Sequence, residues 1–352
     1  MAKQADIYYG YEPWRIVEHG FDKKYALVSE SIFSLANEFM GVRGYFEEGA
    51  DVPSLLGSYF GGVYELDGEE TPGGYKGIVK QTHFMVCAAD WLYCRIEVDG
   101  EMLCIGKSEI DGFERVLDMR TGELTRQFSW QLRSGNRVQV SFGRILSMQN
   151  AQEAAQRIAL TAEEACSATI SMGIQGATVH QMTGRCDWQD VGGASDGHTA
   201  WLESETGTTG QRVRCAMEIA CDGEVKPVRE HLYAGAVISL SLKPGRTAML
   251  ERRVCNRVNG EGEESFAGYD DILNGNRAHY DAFWQHSDVI IEGDDTNQQG
   301  IRFCLFQLHQ TYRGLDARPN IGAKGLTGEA YNGHAFWDTE THCLPSYLLS
   351  EP

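Results

Sequence analysis

The segment LDMRTGELTRQFSWQLRSGNRVQVSFGRIL, residues 117–146, indicates most directly how this chain folds. Two alternating stretches flank Thr121-Gly122, and a third stretch rich in β-branched and aromatic residues follows Ser134-Gly135. Alternation with a period of two is typical of a half-buried strand, and short turns containing glycine join antiparallel neighbours. The segment therefore predicts a β-hairpin followed by another strand of an antiparallel sheet.

The same texture extends from about residue 25 to residue 270, where short strand-like runs alternate with turns. The further runs are WLYCRIEV (91–98), ATISMGI (168–174), RVRCAMEIA (212–220) and AVISLSL (236–242). The further turns are Asp-Gly at 99–100, 111–112 and 222–223, and Pro-Gly at 244–245. Regular short strands without an intervening long helix indicate an antiparallel sandwich. Residues 1–270 are therefore predicted to form a large N-terminal β-sandwich domain.

Helical periodicity begins after Tyr269. Leu273, Arg277, Tyr280 and Trp284 recur at helical spacing, which predicts a helical linker over residues 271–295.

A second predicted helix has Asp294, Asp295 or Thr296 as its N-cap and ends at Gly314. Its predicted apolar face consists of Ile301, Cys304, Leu305, Leu308 and Tyr312, widened by Phe303 and Phe306, so that burial on more than one side is expected. A third helix is predicted to start near Trp337 and to be interrupted at Pro345. Two helices cannot form a core, so residues 296–352 are expected to be an incomplete all-helical domain.

The composition excludes several classes of protein. A net charge of −19 argues against binding to nucleic acid or to an anionic membrane, which need a positive field. The ten cysteines show no zinc-binding spacing, and the histidines show no metal-ligand motif. No apolar run is long enough to span a membrane, and the N-terminus has no signal-peptide pattern. A cytoplasmic protein without a metal is expected.

Trp337 and Asp338 are the strongest candidate binding residues. Sugar recognition uses an aromatic face against the C–H side of the ring and a carboxylate that accepts hydrogen bonds from hydroxyl groups. A Trp-Asp pair at a helix entrance, after a glycine-rich loop, offers both. The alternative from spacing alone is that Asp338 is an N-cap and Trp337 a core aromatic residue.

Other candidate residues in this region are weaker. Glu340 and Glu329 could act as a general acid, but carboxylates in a first helical turn and in a loop are the simpler interpretation. The glycines at 322, 325 and 328, with Lys324, suggest a phosphate loop, but no strand precedes them and no Gly-Lys-Ser/Thr follows. A tight or flexible loop explains these glycines better.

Both ends of the chain together resemble glycoside hydrolase family 65. The motifs are ESIFSLANEFMGVRGYFEEG (30–49), SYFGGVYE (58–65), SDVIIEGDDTNQQGIRFCLFQL (287–308) and GAKGLTGEAYNGHAFWDTE (322–340). The family includes inverting maltose, trehalose, kojibiose and nigerose phosphorylases. The resemblance implies a super-β-sandwich, linker helices and an (α/α)6 barrel, of which this chain would contain only the beginning.

The resemblance also implies a function. Trp337 and Asp338 would hold the non-reducing glucose of an α-glucosyl disaccharide, and inorganic phosphate would be the co-substrate, with no other cofactor. The general-acid glutamate and the phosphate-binding residues are expected beyond residue 352, so the chain carries no catalytic residue and is expected to be inactive alone. Full-length relatives are expected to be homodimers. The alternatives are a trehalase-type hydrolase of the same family and a non-catalytic carbohydrate-binding or assembly sandwich.

Overall fold

The computed structural model describes residues 9–67, 81–181, 183–320 and 322–350. The start of the predicted sandwich domain, including the segment considered for a signal peptide, and the last two residues of the predicted barrel segment lie outside these ranges. In chain order the strands are β1 (Tyr9–Glu12), β2 (Arg15–His19), β3 (Leu35–Ala36), β4 (Met40–Val42), β5 (Ser58–Phe60), β6 (Tyr64–Leu66), β7 (His83–Met85), β8 (Cys94–Val98), β9 (Glu101–Met102), β10 (Glu109–Asp118), β11 (Glu123–Gln131), β12 (Arg137–Leu146), β13 (Glu153–Ala162), β14 (Cys166–Gln175), β15 (Trp188–Ser195), β16 (Thr199–Thr206), β17 (Arg212–Ala220), β18 (Glu224–Glu230), β19 (Tyr233–Leu242) and β20 (Thr247–Val258).

The helices lie mainly near the C-terminal end of the described chain. They are α1 (Ala26–Ile32), α2 (Tyr269–Ser287), α3 (Asp295–Thr311) and α4 (Leu344–Ser350), with short 3-10 turns at Lys23–Tyr25 and Ala330–Gly333 and a π-helical turn at Thr339–Cys343. Within the described ranges, no helix has both the length and the apolar character needed to cross a membrane.

Two large antiparallel sheets form the predicted β-sandwich. The first has ten strands in the order β1-β2-β10-β11-β12-β13-β20-β17-β16-β15, and the second has five in the order β18-β19-β14-β8-β9. One hydrophobic core joins them, because Phe128 and Leu160 of the first sheet belong to the same buried cluster as Ile96 and Ile238 of the second. Alternating strand residues thus bury one face of each sheet, as the sequence predicted.

The segment at 117–146 forms the predicted hairpin and following strand. Leu117 pairs with Leu124, and β12 adds antiparallel to β11. The turn predicted at Asp111-Gly112 is wrong. Gly112 has a φ of +62° inside β10, and the register shifts between Asp111 and Glu114, so the glycine forms a β-bulge rather than a chain reversal.

Helix α2 forms where the aromatic periodicity predicted a helix, and it packs against the sandwich. Tyr280, Phe283 and Trp284 belong to the main core, and the indole of Trp284 donates to the carbonyl of Met119 at 2.8 Å. The predicted domain boundaries at residues 270 and 295 stay predictions, but α2 is structurally continuous with the sandwich.

Helix α3 begins at the predicted N-cap, since the carboxylate of Asp294 accepts from the amide of Asn297 at 3.0 Å. The predicted apolar face is confirmed only in part: Phe306 is fully buried and Phe303 and Leu305 pack against the core, but Cys304 is exposed and the aliphatic residues are only half-buried. The side chains buried against the sandwich are Gln298, Arg302, Phe306, His309 and Gln310.

Partners on α2, at its C-cap and on β3 explain this orientation of α3. Arg302 is paired with Asp288 at 2.8 Å, His309 stacks on Phe283 at 3.9 Å, and Gln310 accepts from the amide of Ala36 at 2.9 Å. The helix ends at Thr311, three residues before the predicted Gly314.

The third predicted helix also forms. It begins with the π-helical turn after Asp338 and continues as α4 from Leu344. The change from π-helical to α-helical backbone lies next to Pro345, whose missing N–H disrupts the regular ladder. The (α/α)6 barrel itself stays a prediction.

Candidate functional site

The site loop (residues 322–338) lies on a platform built by β3 to β6 and their connections (residues 35–66). Leu326 is buried in a small cluster with Ala36, Tyr59, Met85 and Cys87. Gly41 allows this contact, because a Cβ at that position would collide with the carbonyl group of Leu326. The two ends of the chain that carry the family resemblance are therefore packed against each other.

A second contact joins the platform to the loop through Arg43. Its guanidinium donates to the carbonyl of Thr327 at 2.8 Å and is paired with Glu30 at 2.6 Å. Both Arg43 and Glu30 have little exposed side-chain surface. A hydrogen bond from a charged group is stronger than a neutral one, and water competes little for it where the groups are covered. This contact therefore fixes the backbone of the loop at Thr327.

The chain enters the site loop from α3 through contacts with Glu38, a buried platform residue with a φ of +72°. Its carboxylate accepts from the amides of Arg313 at 2.7 Å and Leu315 at 2.8 Å. A carboxylate that accepts from successive backbone amides holds a chain segment as a cap does. The path from α3 toward the site loop is thus set by the platform.

Glu329, a candidate general acid, is only 2% exposed. It accepts from the amide of Gln181 at 2.6 Å and from the hydroxyl of Tyr59 at 3.3 Å. Burial raises its pKa above the ordinary value, although these donors and the positive charge of Arg43 oppose the shift. A carboxyl group enclosed in this way cannot reach a sugar on the surface of the loop, so it is not placed as the acid.

Beyond Glu329 the loop makes a left-handed turn. Tyr331 and Asn332 have φ of +62° and +56°, and Gly333 has +70°. The carbonyl of Gly333 accepts from the hydroxyl of Tyr64 at 2.9 Å, and the ring of His334 stacks on Tyr64. Non-glycine residues hold this conformation only where their surroundings enforce it.

Trp337 and Asp338 follow this turn, and both are exposed; Trp337 has 71% of its surface accessible. Within the described part of this chain, Trp337 is not a core residue. Asp338 occupies the N-cap position of the π-helical turn, but its side chain makes no capping hydrogen bond. Phe336 is also exposed, so the loop presents an aromatic surface beside a carboxylate. Whether this pair binds sugar stays a prediction.

The structure also places the remaining candidates, which are Glu340, the three glycines of the loop and Lys324. Glu340 is exposed in the first turn after Asp338, as its simpler interpretation predicted. The glycines form a tight loop: Gly325 has a φ of +57°, and a Cβ on Gly322 would lie 2.7 Å from the carbonyl oxygen of Gly333. Lys324 lies over the ring of Tyr331 at 5.8 Å. In the part of the chain that the structure describes, no three metal-binding side chains are grouped.

Sequence reasoning did not identify the residues that hold the loop. Tyr59 and Tyr64 lie in the motif SYFGGVYE, and Glu38 and Arg43 in ESIFSLANEFMGVRGYFEEG; these motifs carried the family resemblance, but no role in holding the loop was predicted for them. The available signal was the presence of two charged groups and two tyrosine hydroxyls in otherwise apolar stretches of sequence. Arg43, Tyr59 and Tyr64 contact residues that lie more than 250 positions away in the sequence, so a local pattern cannot show which segment each of them binds.

The fold and the loop together define the class of protein: a large antiparallel β-sandwich followed by helices, with an aromatic–carboxylate pair presented at the junction. Residues 16–288 match the family model described as glycosyl hydrolase family 65, N-terminal domain, and residues 302–352 match that of the family 65 central catalytic domain. The chain therefore belongs to glycosyl hydrolase family 65.

Its relatives are disaccharide phosphorylases. The chain is 30% identical to the alpha,alpha-trehalose phosphorylase of Thermoanaerobacter brockii, covering 98% of this chain and 48% of that protein. It is 30% identical to the maltose phosphorylase of Bacillus subtilis, covering 96% and 47% respectively. A solved structure assigned as a kojibiose phosphorylase from human microbiome aligns with a TM-score of 0.90 and 34% identity, over 97% of this chain and 47% of that one. The chain spans about half the length of the curated relatives it matches.

Proposed function

We propose that this chain supplies one side of the active site of a glycoside phosphorylase, the side that contacts the donor sugar through Trp337 and Asp338. We call this side the donor wall. The complete reaction would cleave an α-glucosyl disaccharide with inorganic phosphate, giving β-glucose 1-phosphate and a free sugar. The observation that supports this most is the exposed Trp337–Asp338 pair on a loop tied to the sandwich at Leu326, Thr327, Glu329 and Gly333.

The chemistry of the pair suits one glucose ring. The indole of Trp337 offers an apolar face to the C–H side of the sugar, and the carboxylate of Asp338 can accept from neighbouring hydroxyl groups. A loop fixed in advance lowers the entropy lost on binding. These features support recognition of a hexose at its non-reducing end, and they leave the linkage to the second sugar open.

In the proposed reaction a phosphate oxygen attacks C1 from the face opposite to the leaving group. The bond between C1 and the glycosidic oxygen breaks, and a carboxylic acid gives its proton to that oxygen. Phosphate is already an anionic nucleophile, so the basic carboxylate of an inverting hydrolase is not needed. No metal or organic cofactor is needed in this proposal either.

The acid and the phosphate contacts are proposed to come from the half of the relatives that this sequence does not match. The 352-residue chain alone is therefore expected to release no β-glucose 1-phosphate from maltose, trehalose or kojibiose in the presence of phosphate. Release of that product by the purified chain would overturn this part of the proposal.

Calorimetric titration with glucose tests the donor wall directly. The chain is expected to bind glucose weakly, with a Kd of about 1 mM or higher. Trp337→Ala and Asp338→Asn are each expected to weaken binding about tenfold or more, since each removes one of the two proposed contacts. Glu340→Gln, a neighbouring exposed carboxylate, serves as the matched control and should bind as the parent chain does. Equal binding by all four proteins would contradict the assignment of the pair.

A further inference from the structure

The carboxyl group of Glu329 joins three separate parts of the molecule at a buried point. It contacts Tyr59 of the platform and Gln181 of the connection after β14, while its own backbone belongs to the site loop. The imidazole of His180 lies beside it, with Nε2 at 3.5 Å from Oε2 of Glu329 and only 2% of the side chain exposed. The proposed reaction assigns no step to this group.

The ring of His180 bears on the protonation state of Glu329, because the two groups lie side by side. Among the described residues, its buried Nε2 finds no hydrogen-bond partner. Burial lowers the pKa of His180 and raises the pKa of Glu329, so both groups are favoured in their neutral forms. The backbone amide of Thr183 donates to Nδ1 at 3.4 Å, so the neutral ring carries its proton on Nε2, which faces the carboxyl oxygen of Glu329.

Several charged or titratable groups face this pair. Those acting on Glu329 are Tyr59, Arg43 and Asp187; those acting on His180 are Arg185 and Asp67; and the buried thiol of Cys87 lies close to both Tyr59 and Glu329. Arg43 favours the ionised carboxylate and Asp187 opposes it, but burial is the largest influence on Glu329.

The left-handed turn of the site loop begins two residues after Glu329. The amide of Asn332 donates to the carbonyl of Glu329 at 3.0 Å, so the turn closes back onto this residue. On the far side, Tyr64 holds the carbonyl of Gly333 at 2.9 Å. A turn with two non-glycine residues at positive φ persists only while both of its ends are held.

We propose that Glu329 is a positioning residue: its hydrogen bonds to Tyr59 and Gln181 hold the site loop against the sandwich and thereby fix the positions of Trp337 and Asp338. We call this set of contacts the clamp. The consequence for sugar binding rests on the proposed function, whereas the clamp itself does not. In the clamped state the pKa of Glu329 is raised above its ordinary value of 4.5. When the loop is released, the carboxyl group returns to that ordinary pKa and loses its proton at a lower pH than in the clamped state. The contribution of Glu329 to the clamp is therefore largest at acid pH and falls as the pH rises through its raised pKa, whereas His180, with its lowered pKa, weakens the clamp as the pH falls below its ordinary value of 6.5.

Hydrogen–deuterium exchange of peptides covering residues 322–338 tests the clamp in the 352-residue chain. Exchange is measured from roughly pH 5 to 8, corrected for the intrinsic rate, for the parent chain, Glu329→Ala, Glu329→Gln and the exposed control Glu340→Gln. Glu329→Ala should exchange about tenfold faster in this loop. Glu329→Gln should retain protection of the loop without the part of the pH dependence that belongs to Glu329, because its amide oxygen accepts from the amide of Gln181 and from Nε2–H of His180 without titrating.

The proposal is overturned if Glu329→Ala leaves the loop as protected as in the parent chain, if alanine and glutamine behave alike, or if the parent chain and Glu329→Gln share one pH profile. If thermal unfolding shows that Glu329→Ala has lost its fold, Tyr59→Phe replaces it and should give a smaller rise in the same peptides; no rise would equally overturn the clamp. Trp337→Ala separates the two proposals: unchanged glucose binding would contradict the proposed function while leaving the clamp intact.

Discussion

The platform and the presented end of the chain differ in how their side chains are used. In the platform, Glu38 and Tyr59 are buried, Arg43 is largely covered, and the polar groups of all three are hydrogen-bonded. From Phe336 onward, large apolar side chains are exposed, including Trp337 at 71% and Leu349 at 86%. The platform therefore determines the position of the site loop, whereas the residues from Phe336 onward determine what the loop can contact. Changes in the first should affect stability, and changes in the second should affect binding.

The largest effect is expected at Glu47, in the connection of the platform between β4 and β5. Its fully buried carboxylate is paired with Arg144 at 2.5 Å and Arg126 at 3.3 Å and accepts from Gln156 at 3.0 Å. Glu47→Ala would leave two arginines buried with less compensation, and we expect a loss of about 3–5 kcal/mol in the free energy of unfolding. Urea denaturation measures it. The exposed control Glu224→Gln, which removes a surface pair with Lys226, should change stability by less than about 1 kcal/mol.

A smaller effect is expected at the contact between platform and loop. Gly41→Ala would push a Cβ into the carbonyl of Leu326, and either the loop or β4 must shift. We expect a loss of about 1–3 kcal/mol and faster hydrogen exchange in residues 322–338. Gly300→Ala is the matched control, because its Cβ meets open space within α3 and should stabilise the chain by up to about 1 kcal/mol. Equal stability of the two variants would mean that the platform does not support the loop.

Removal of one platform hydroxyl should have a still smaller effect. Tyr64→Phe deletes the group that contacts Asn320 at 2.8 Å and the carbonyl of Gly333 at 2.9 Å, while the ring can still stack on His334. We expect a loss of about 1 kcal/mol, with faster exchange confined to the left-handed turn. Exchange that increases throughout the sandwich would show that Tyr64 serves the core instead.

The smallest effect on stability is expected at the presented end. Leu349→Ser should change the free energy of unfolding by less than about 0.5 kcal/mol, because the side chain is 86% exposed. It should, however, reduce self-association of the chain, since the exposed apolar surface around Leu348 and Leu349 favours contact between copies. Light scattering over a concentration series checks this. A parent chain that is already monomeric at every concentration would contradict it.

Local pattern was sufficient for the hairpin at 117–131, the long strands of the sandwich and the positions of the three helices after Gly268, but α1 (Ala26–Ile32) lies in the range predicted to consist of strands. These features depend on the spacing of apolar residues and on turn residues close in sequence. The failures have a common cause. Gly112 forms a bulge because its neighbours continue to pair with β11, and α3 turns Arg302 and Gln310 inward because Asp288 and Ala36 offer them partners. Such partners cannot be identified from a window of sequence.

The candidate site divides in the same way. The sequence by itself determined that an aromatic–carboxylate pair, Trp337 and Asp338, follows a glycine-rich loop at a helix entrance, because residue types and spacing are written in the chain. Only the tertiary structure decided that this pair is exposed, that Glu329 is enclosed rather than available as an acid, and that Arg43, Tyr59 and Tyr64 hold the loop. The physical reason is that burial and hydrogen bonding between segments more than 250 residues apart arise only when the sandwich folds and brings the two ends of the chain together.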